Sequence, residues 1–273
     1  MPAERTVHGE YPEDGWLRGY FNMVGVDRLD NTEGATSWRK NVDFLRLRDV
    51  ALHLLEPGPG KMILDLGCAD GATMVYCGLQ GATVHGQDLN PDSVAQANDL
   101  LRRYKVDGEA HCGDAAELSF PDGYFDGVIS SDFFEHITDD VKVRVLRETL
   151  RVLKPGSPIV IKTPNLAYLT LSLRYKQLRG LLRAQDPRKF VIPHTPGTSD
   201  PQHVGLTTRW QLIHCLSEAG FLNYQFYYAP LRRFGMSRLA EVLSTELPVV
   251  RDILCEDVFC KAYKPIVLSH FPD

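Results

Sequence analysis

Met62-Ile-Leu-Asp-Leu-Gly-Cys-Ala-Asp-Gly71 decides the reading of this chain. The run Met62 to Leu66 is apolar apart from Asp65, as expected for a parallel strand covered on both faces. It empties into a glycine-bearing turn, and Gly71 opens an apolar stretch that predicts a helix. Glycine in such a turn permits tight backbone geometry and close approach of a ligand to the main chain. A second strand, Ala82 to Gln87, ends on Asp88-Leu-Asn-Pro91. A carboxylate at that tip can accept hydrogen bonds from both hydroxyls of a ribose, so the pair of segments suits a nucleoside cofactor at the carboxyl edge of an open α/β sheet.

Further segments follow in order. Gly113-Asp-Ala-Ala-Glu-Leu-Ser-Phe-Pro121 forms a loop after a third strand. Tyr124 to Ser131 predicts a fourth strand, and Leu146 to Lys154 with Pro155-Gly156 predicts a helix and turn into a fifth, Pro158 to Lys162. Leu216 to Phe221 ends a helix before strand six, and Asp257 to Tyr263 closes the sheet. This succession, over roughly residues 40–263, resembles the class I S-adenosylmethionine-dependent methyltransferases. Their Asp-x-Gly-x-Gly-x-Gly stands here as Asp65-x-Gly67-x-Ala69-x-Gly71, with alanine replacing the middle glycine. A nicotinamide-binding domain prefers Gly-x-Gly-x-x-Gly, which this turn does not supply.

The resemblance implies a Rossmann-like, seven-stranded, mostly parallel sheet with helices on both faces and a helical lid insertion. It implies S-adenosyl-L-methionine as cofactor. Asp65, Gly67, Cys68 and Gly71 would frame the methionine portion, Asp88 and Leu89 the ribose, and Asp114 with the Ala115 N–H the adenine, with Ser131 at the end of strand four. The expected division is an N-terminal cap and helix over 1–56 and a catalytic domain over 57–273. Insertions fall at about 164–206 and about 230–255.

Ser131-Asp-Phe-Phe-Glu-His136 places polar groups beside the expected methyl group. One reading has Glu135 and His136 starting a helix and orienting the loop. The other joins Asp132, Glu135 and His136 to His203, which follows Asp200-Pro-Gln. The latter resembles the ubiquinone-pathway O-methyltransferases and the small-RNA 2′-O-methyltransferases, whose Glu-x-x-Glu-His becomes Asp132-x-x-Glu135-His136 here. That resemblance implies a divalent metal, Mg²⁺, Mn²⁺ or Zn²⁺, on Asp132, Glu135, His136 and His203. Without metal, His136 or His203 could act as general base, with Glu135 facing the acceptor. Oxygen is the favoured acceptor atom, ahead of nitrogen or carbon. Two alternatives stand beside methyl transfer: aminoalkyl transfer or cyclisation of the same cofactor, and a non-catalytic cofactor-binding partner subunit.

Composition narrows the partners. A net charge of −5 argues against general nucleic-acid binding. No apolar run reaches the roughly twenty residues that a membrane span needs. Six cysteines without a Cys-x-x-Cys pair suit reduced thiols and a cytoplasmic location. Arg174, Lys176, Arg179, Arg183, Arg188 and Lys189 crowd one stretch against the single acid Asp186. They are either a solvated helix face or a lid that draws in an anionic small molecule. Ser37 to Leu55 predicts an amphipathic helix, on which Arg39 or Lys40 could meet the methionine carboxylate, and Leu231 to Leu243 predicts another. His194 and His214 carry no expected role.

Overall fold

The computed structural model describes residues 50–199, 201–228 and 247–266. A short helical segment over 50–55 leads into β1 (Met62–Leu66), and α1 (Ala72–Leu79), β2 (Thr83–Asp88), α2 (Pro91–Tyr104) and β3 (Gly108–Cys112) alternate after it. β4 (Gly127–Ser131), a 3₁₀ turn (Phe134–His136), α3 (Asp139–Val152) and β5 (Pro158–Pro164) follow. The last part holds α4 (Leu166–Leu181), a 3₁₀ turn (Pro187–Lys189), α5 (Arg209–Ala219), β6 (Asn223–Tyr227), α6 (Pro248–Leu254) and β7 (Asp257–Tyr263).

The expected seven-stranded sheet is present, in the order β3-β2-β1-β4-β5-β7-β6. All pairings are parallel except those of β7, which runs antiparallel to both β5 and β6. Successive strand residues fall into opposite cores. Ile63 and Ile129 pack on one side with Leu52, Met74 and Leu101, while Leu64 and Val128 pack on the other with Phe125, Leu146 and Phe221. Period-two alternation across a sheet covered on both faces produces this division. The strand order reverses between β1 and β4, and a ligand crevice opens at such a switch point, outside the carboxyl ends of the strands.

Local sequence sets the ends of these elements. Asn90 accepts from the Asp92 and Ser93 N–H groups and Pro91 occupies the first turn, so α2 starts where β2 stops. Thr208 and Gln211 close a reciprocal capping box at the start of α5.

Several expectations shift in detail. The helix before β5 begins at Asp139, well ahead of Leu146, because the 3₁₀ turn at Phe134–His136 ends the preceding loop early. Tyr228 lies beyond β6, buried, with its hydroxyl donating to Asp252 Oδ1 at 2.6 Å. Five cysteines are buried and Cys112 is exposed. Residues 37–49 of the amphipathic helix, with Arg39 and Lys40, lie outside the described residues, as does the helix expected over 231–243. Among the described residues no helix is long and apolar enough to cross a membrane.

Candidate active site

A cleft of about 410 Å³ opens at the carboxyl ends of β1 and β4. The β1–α1 turn contributes Asp65, Gly67, Cys68, Ala69, Asp70, Ala72 and Thr73. Ser131, Asp132, Glu135 and His136 come from the loop after β4, and Pro164, His194 and His203 from the insertion.

The turn after β1 is shaped by backbone that favours glycine. Gly67, Ala69 and Gly71 all have positive φ, at 69°, 46° and 84°. Ala69 therefore adopts, as a non-glycine residue, the left-handed conformation that the missing middle glycine would take without strain. Its N–H donates to Asp88 Oδ2 at 3.0 Å, and the Asn90 N–H donates to Oδ1 at 2.9 Å. Asp88 thus ties the first turn to the tip of β2, and its carboxylate oxygens keep further lone pairs for a ligand. Leu89 follows it, exposed. Asp114 accepts from the Ala116 N–H at 2.9 Å and lies exposed beside buried Ala115, past the end of β3. Asp88, Leu89, Asp114 and Ala115 share the carboxyl edge with the cleft but do not line it.

On the other wall, Glu135, His136 and His203 converge. One ligand atom from each lies within 4.8 Å of the others. The 66-residue sequence gap between the two histidines is closed by a set of hydrogen bonds. The Gly205 N–H donates to Glu135 O at 2.8 Å, and buried Lys142 donates to Gly205 O at 2.6 Å. A Cβ at Gly205 would fall 1.7 Å from the Ile137 carbonyl oxygen, so only glycine allows this approach. His136 Nδ1 lies 3.2 Å from the Gln202 carbonyl, which can only accept. Nδ1 therefore carries the proton in the neutral ring, and Nε2 is the basic nitrogen.

Glu135 is buried and accepts from Thr163 Oγ1 at 3.0 Å. Burial, reinforced by the negative charge of Asp132, pushes its carboxyl up to about 7 against the pull of Lys162 and His136. It thus titrates near neutrality, where a proton acceptor is most useful.

Asp132 lines the cleft but is not within the three-residue cluster. Its backbone is left-handed (φ 56°), its N–H donates to Lys162 O at 3.0 Å, and its carboxylate meets Lys162 Nζ at 2.5 Å. Lys162 also faces buried Asp257 at 3.8 Å. Burial alone would depress the lysine, but Asp257 and Asp132 hold it above its ordinary range. Asp257 is pushed up to about 6 by burial, against the pull of Lys162. A lysine inside the apolar run of β5 was the one sequence signal for this network.

His194, for which no role is expected, lines the cleft. His203 N–H donates to the His194 carbonyl at 2.7 Å, and the two rings lie 5.2 Å apart. None of the six basic residues of 174–189 lines the cleft, nor does His214. The residues present fit both groups that the sequence implies. Ser131 Oγ is buried at the cleft with no hydrogen-bond partner among the described residues, a place for a polar cofactor atom. A carboxylate and two imidazoles form a plausible donor set for a divalent ion.

Comparison with known proteins bears on the domain that carries this cleft. Residues 63–156 match the methyltransferase-domain family. The 2-methyl-6-phytyl-1,4-hydroquinone methyltransferase of Synechocystis is 36% identical over 168 residues, covering 59% of this chain and 50% of that protein. The ubiquinone biosynthesis O-methyltransferase of Pseudomonas fluorescens is 31% identical over 157 residues, covering 55% and 66%. The chain thus spans half to just under two thirds of these relatives. A solved S-adenosylmethionine-dependent methyltransferase from Methanosarcina mazei superposes with a TM-score of 0.56 at 20% identity, covering 79% of this chain and 97% of its own. Over residues 63–156 the chain is thus similar in sequence to the methyltransferase-domain family, and its fold is that of the solved S-adenosylmethionine-dependent methyltransferases.

Proposed function

We propose that the protein transfers the methyl group of S-adenosylmethionine to an oxygen of a small molecule bound in this cleft. The observation that carries the reading is the meeting of Glu135, His136 and His203 across from the β1–α1 turn. When bound, the cofactor supplies a methyl group that its sulfonium already makes electrophilic. The protein has to hold an attacking atom in line and keep water away. Asp65, Gly67, Cys68 and Gly71 frame the methionine portion, Asp88 and Leu89 the ribose, and Asp114 with Ala115 the adenine. Ser131 offers its hydroxyl beside them. Glu135 or the basic Nε2 of His136 takes the proton from the acceptor hydroxyl, and His203 orients that hydroxyl.

The same three residues would hold a divalent metal, whose contribution would be to lower the pKa of a coordinated hydroxyl. With two imidazoles in the set, Zn²⁺ or Mn²⁺ suits it better than Mg²⁺. Asp132 joins such a set only by leaving Lys162. The insertion at 164–206 acts as the lid, since it delivers His194 and His203 to the cleft. The described lining offers an anionic acceptor no Lys or Arg and adds four carboxylates, which supports a neutral hydroxyl compound. Six free cysteines support a reducing, cytoplasmic setting.

The test is product analysis with a panel of aromatic hydroxyl compounds, vicinal diols first, with and without chelator. Release of S-adenosylhomocysteine in step with a methyl ether supports the reading. Methylthioadenosine as product, or tight cofactor binding with no turnover on any acceptor, would overturn it.

A further inference from the structure

Lys142 is fully buried near the start of α3, a place where two physical costs add. A charge taken wholly out of water loses its hydration, and a cation near a helix N-terminus meets the positive end of the helix dipole. Val143, Val145 and Leu146 beside it in the chain are buried and apolar, and an apolar side chain in place of the lysine would avoid both costs. Stability alone therefore does not account for a lysine here. Breaches of local preference of this kind are expected at functional sites.

The ammonium makes two contacts. Nζ donates to the Asp139 carboxylate at 2.7 Å and to the Gly205 carbonyl at 2.6 Å. Asp139 is exposed and reaches water without the lysine, so the contact with no substitute is the one to the buried carbonyl. Gly205 is also gripped by the turn after β4. Its N–H donates to Glu135 O at 2.8 Å, and a Cβ on it would stand 1.7 Å from Ile137 O. Two residues earlier, the His203 N–H donates to the His194 carbonyl at 2.7 Å. Two residues of chain span at most about 7 Å, so the His203 imidazole follows wherever Gly205 is seated.

We infer that Lys142 is a positioning residue: it seats the 203–205 segment on the turn at Phe134–His136 and so holds the His203 imidazole against Glu135 and His136. It does this without lining the cleft itself. The task given to His203 rests on the methyl-transfer reading, whereas the seating does not.

The test is Lys142→Met, which keeps an unbranched side chain of similar helix propensity and removes the donor. By NMR-detected hydrogen exchange, the Gly205 and His203 amides should open at least about tenfold more readily than in wild type, beyond any change shared by the amides of β1 and β4. Affinity for S-adenosylhomocysteine should stay within about threefold, while kcat on an accepted hydroxyl compound falls by about tenfold to a hundredfold, the scale of a displacement near 1 Å. In a His203→Ala background the same substitution should lower turnover no further, since Lys142 acts through that imidazole. Acceleration no greater than that of the sheet amides, or a further loss in the His203→Ala background, would make Lys142 a support of the fold alone and overturn the inference. Should Lys142→Met not fold, Gly205→Ala unseats the same segment through the clash with Ile137, with the same exchange and turnover expected. Wild-type turnover and wild-type exchange at His203 in that variant would equally overturn it. A wild-type protein that methylates no acceptor would end the methyl-transfer reading and leave the exchange result to decide the seating.

Discussion

The Asp132 carboxylate is held 2.5 Å from the buried ammonium of Lys162 instead of beside the imidazoles of His136 and His203. The backbone enforces this: the Asp132 N–H donates to the Lys162 carbonyl, and the left-handed φ of 56° is one that aspartate tolerates better than most residues. The negative charge so fixed is one of the two causes that raise the Glu135 carboxyl toward neutrality. Structure and reactivity in the loop after β4 therefore depend on a lysine one strand away.

Lys162→Met should be strongly destabilising, by about 3–5 kcal/mol, because it leaves Asp257 buried without a counter-ion. Denaturant unfolding measures it. The double variant Lys162→Met/Asp257→Asn should recover part of the loss, and a single variant as stable as wild type would show that the pair contributes nothing.

Glu135→Gln should raise stability while lowering activity. The folded carboxyl titrates at about 7, above its ordinary 4.5, so the folded state binds the proton more tightly than the unfolded state. Wild-type stability must then fall as pH rises between those values, and the variant escapes the fall. In metal-free buffer the variant should gain about 1–3 kcal/mol above pH ~7 and little at pH ~4.5. A pH-independent difference would contradict the assigned shift.

Ala69→Gly should stabilise the protein by about 0.5–1 kcal/mol. Relief of the left-handed alanine exceeds the extra unfolded-state freedom of glycine. Thermal unfolding checks the sign, and a destabilised variant would mean that the alanine methyl makes contacts worth more than the strain.

Asp88→Ala should weaken S-adenosylhomocysteine binding by about 1–3 kcal/mol, the scale of charged hydrogen bonds lost from a site. Two contributions enter: the proposed ribose contact, and the Ala69 N–H that Asp88 now holds. Calorimetry showing unchanged affinity would remove Asp88 from the cofactor site.

The sheet was legible because strands buried on both faces leave apolar runs, and the β1–α1 turn because glycine and Asp88 are chemically specific there. Glu135, His136 and His203 were legible only through resemblance; no periodicity links residues so far apart in the chain. What joins them is Gly205 under Ile137, with Lys142 and Gln202 on either side, a close backbone approach that leaves no pattern in the sequence. Asp132 has the spacing of a partner of the histidines and lines the cleft, but the competing claim of Lys162 on its carboxylate arises only when β4 and β5 pair in register, Ser131 beside Lys162. His194 reached the cleft through a backbone hydrogen bond to His203, again a tertiary event.

The most direct test of the proposed chemistry compares two numbers for His136→Ala: affinity for S-adenosylhomocysteine and turnover with an accepted hydroxyl compound. The expected result is affinity within about threefold of wild type and turnover lowered by at least about a hundredfold, the scale of a lost proton acceptor. A parallel fall in both would make His136 a support of the cleft, and unchanged turnover would place the chemistry elsewhere.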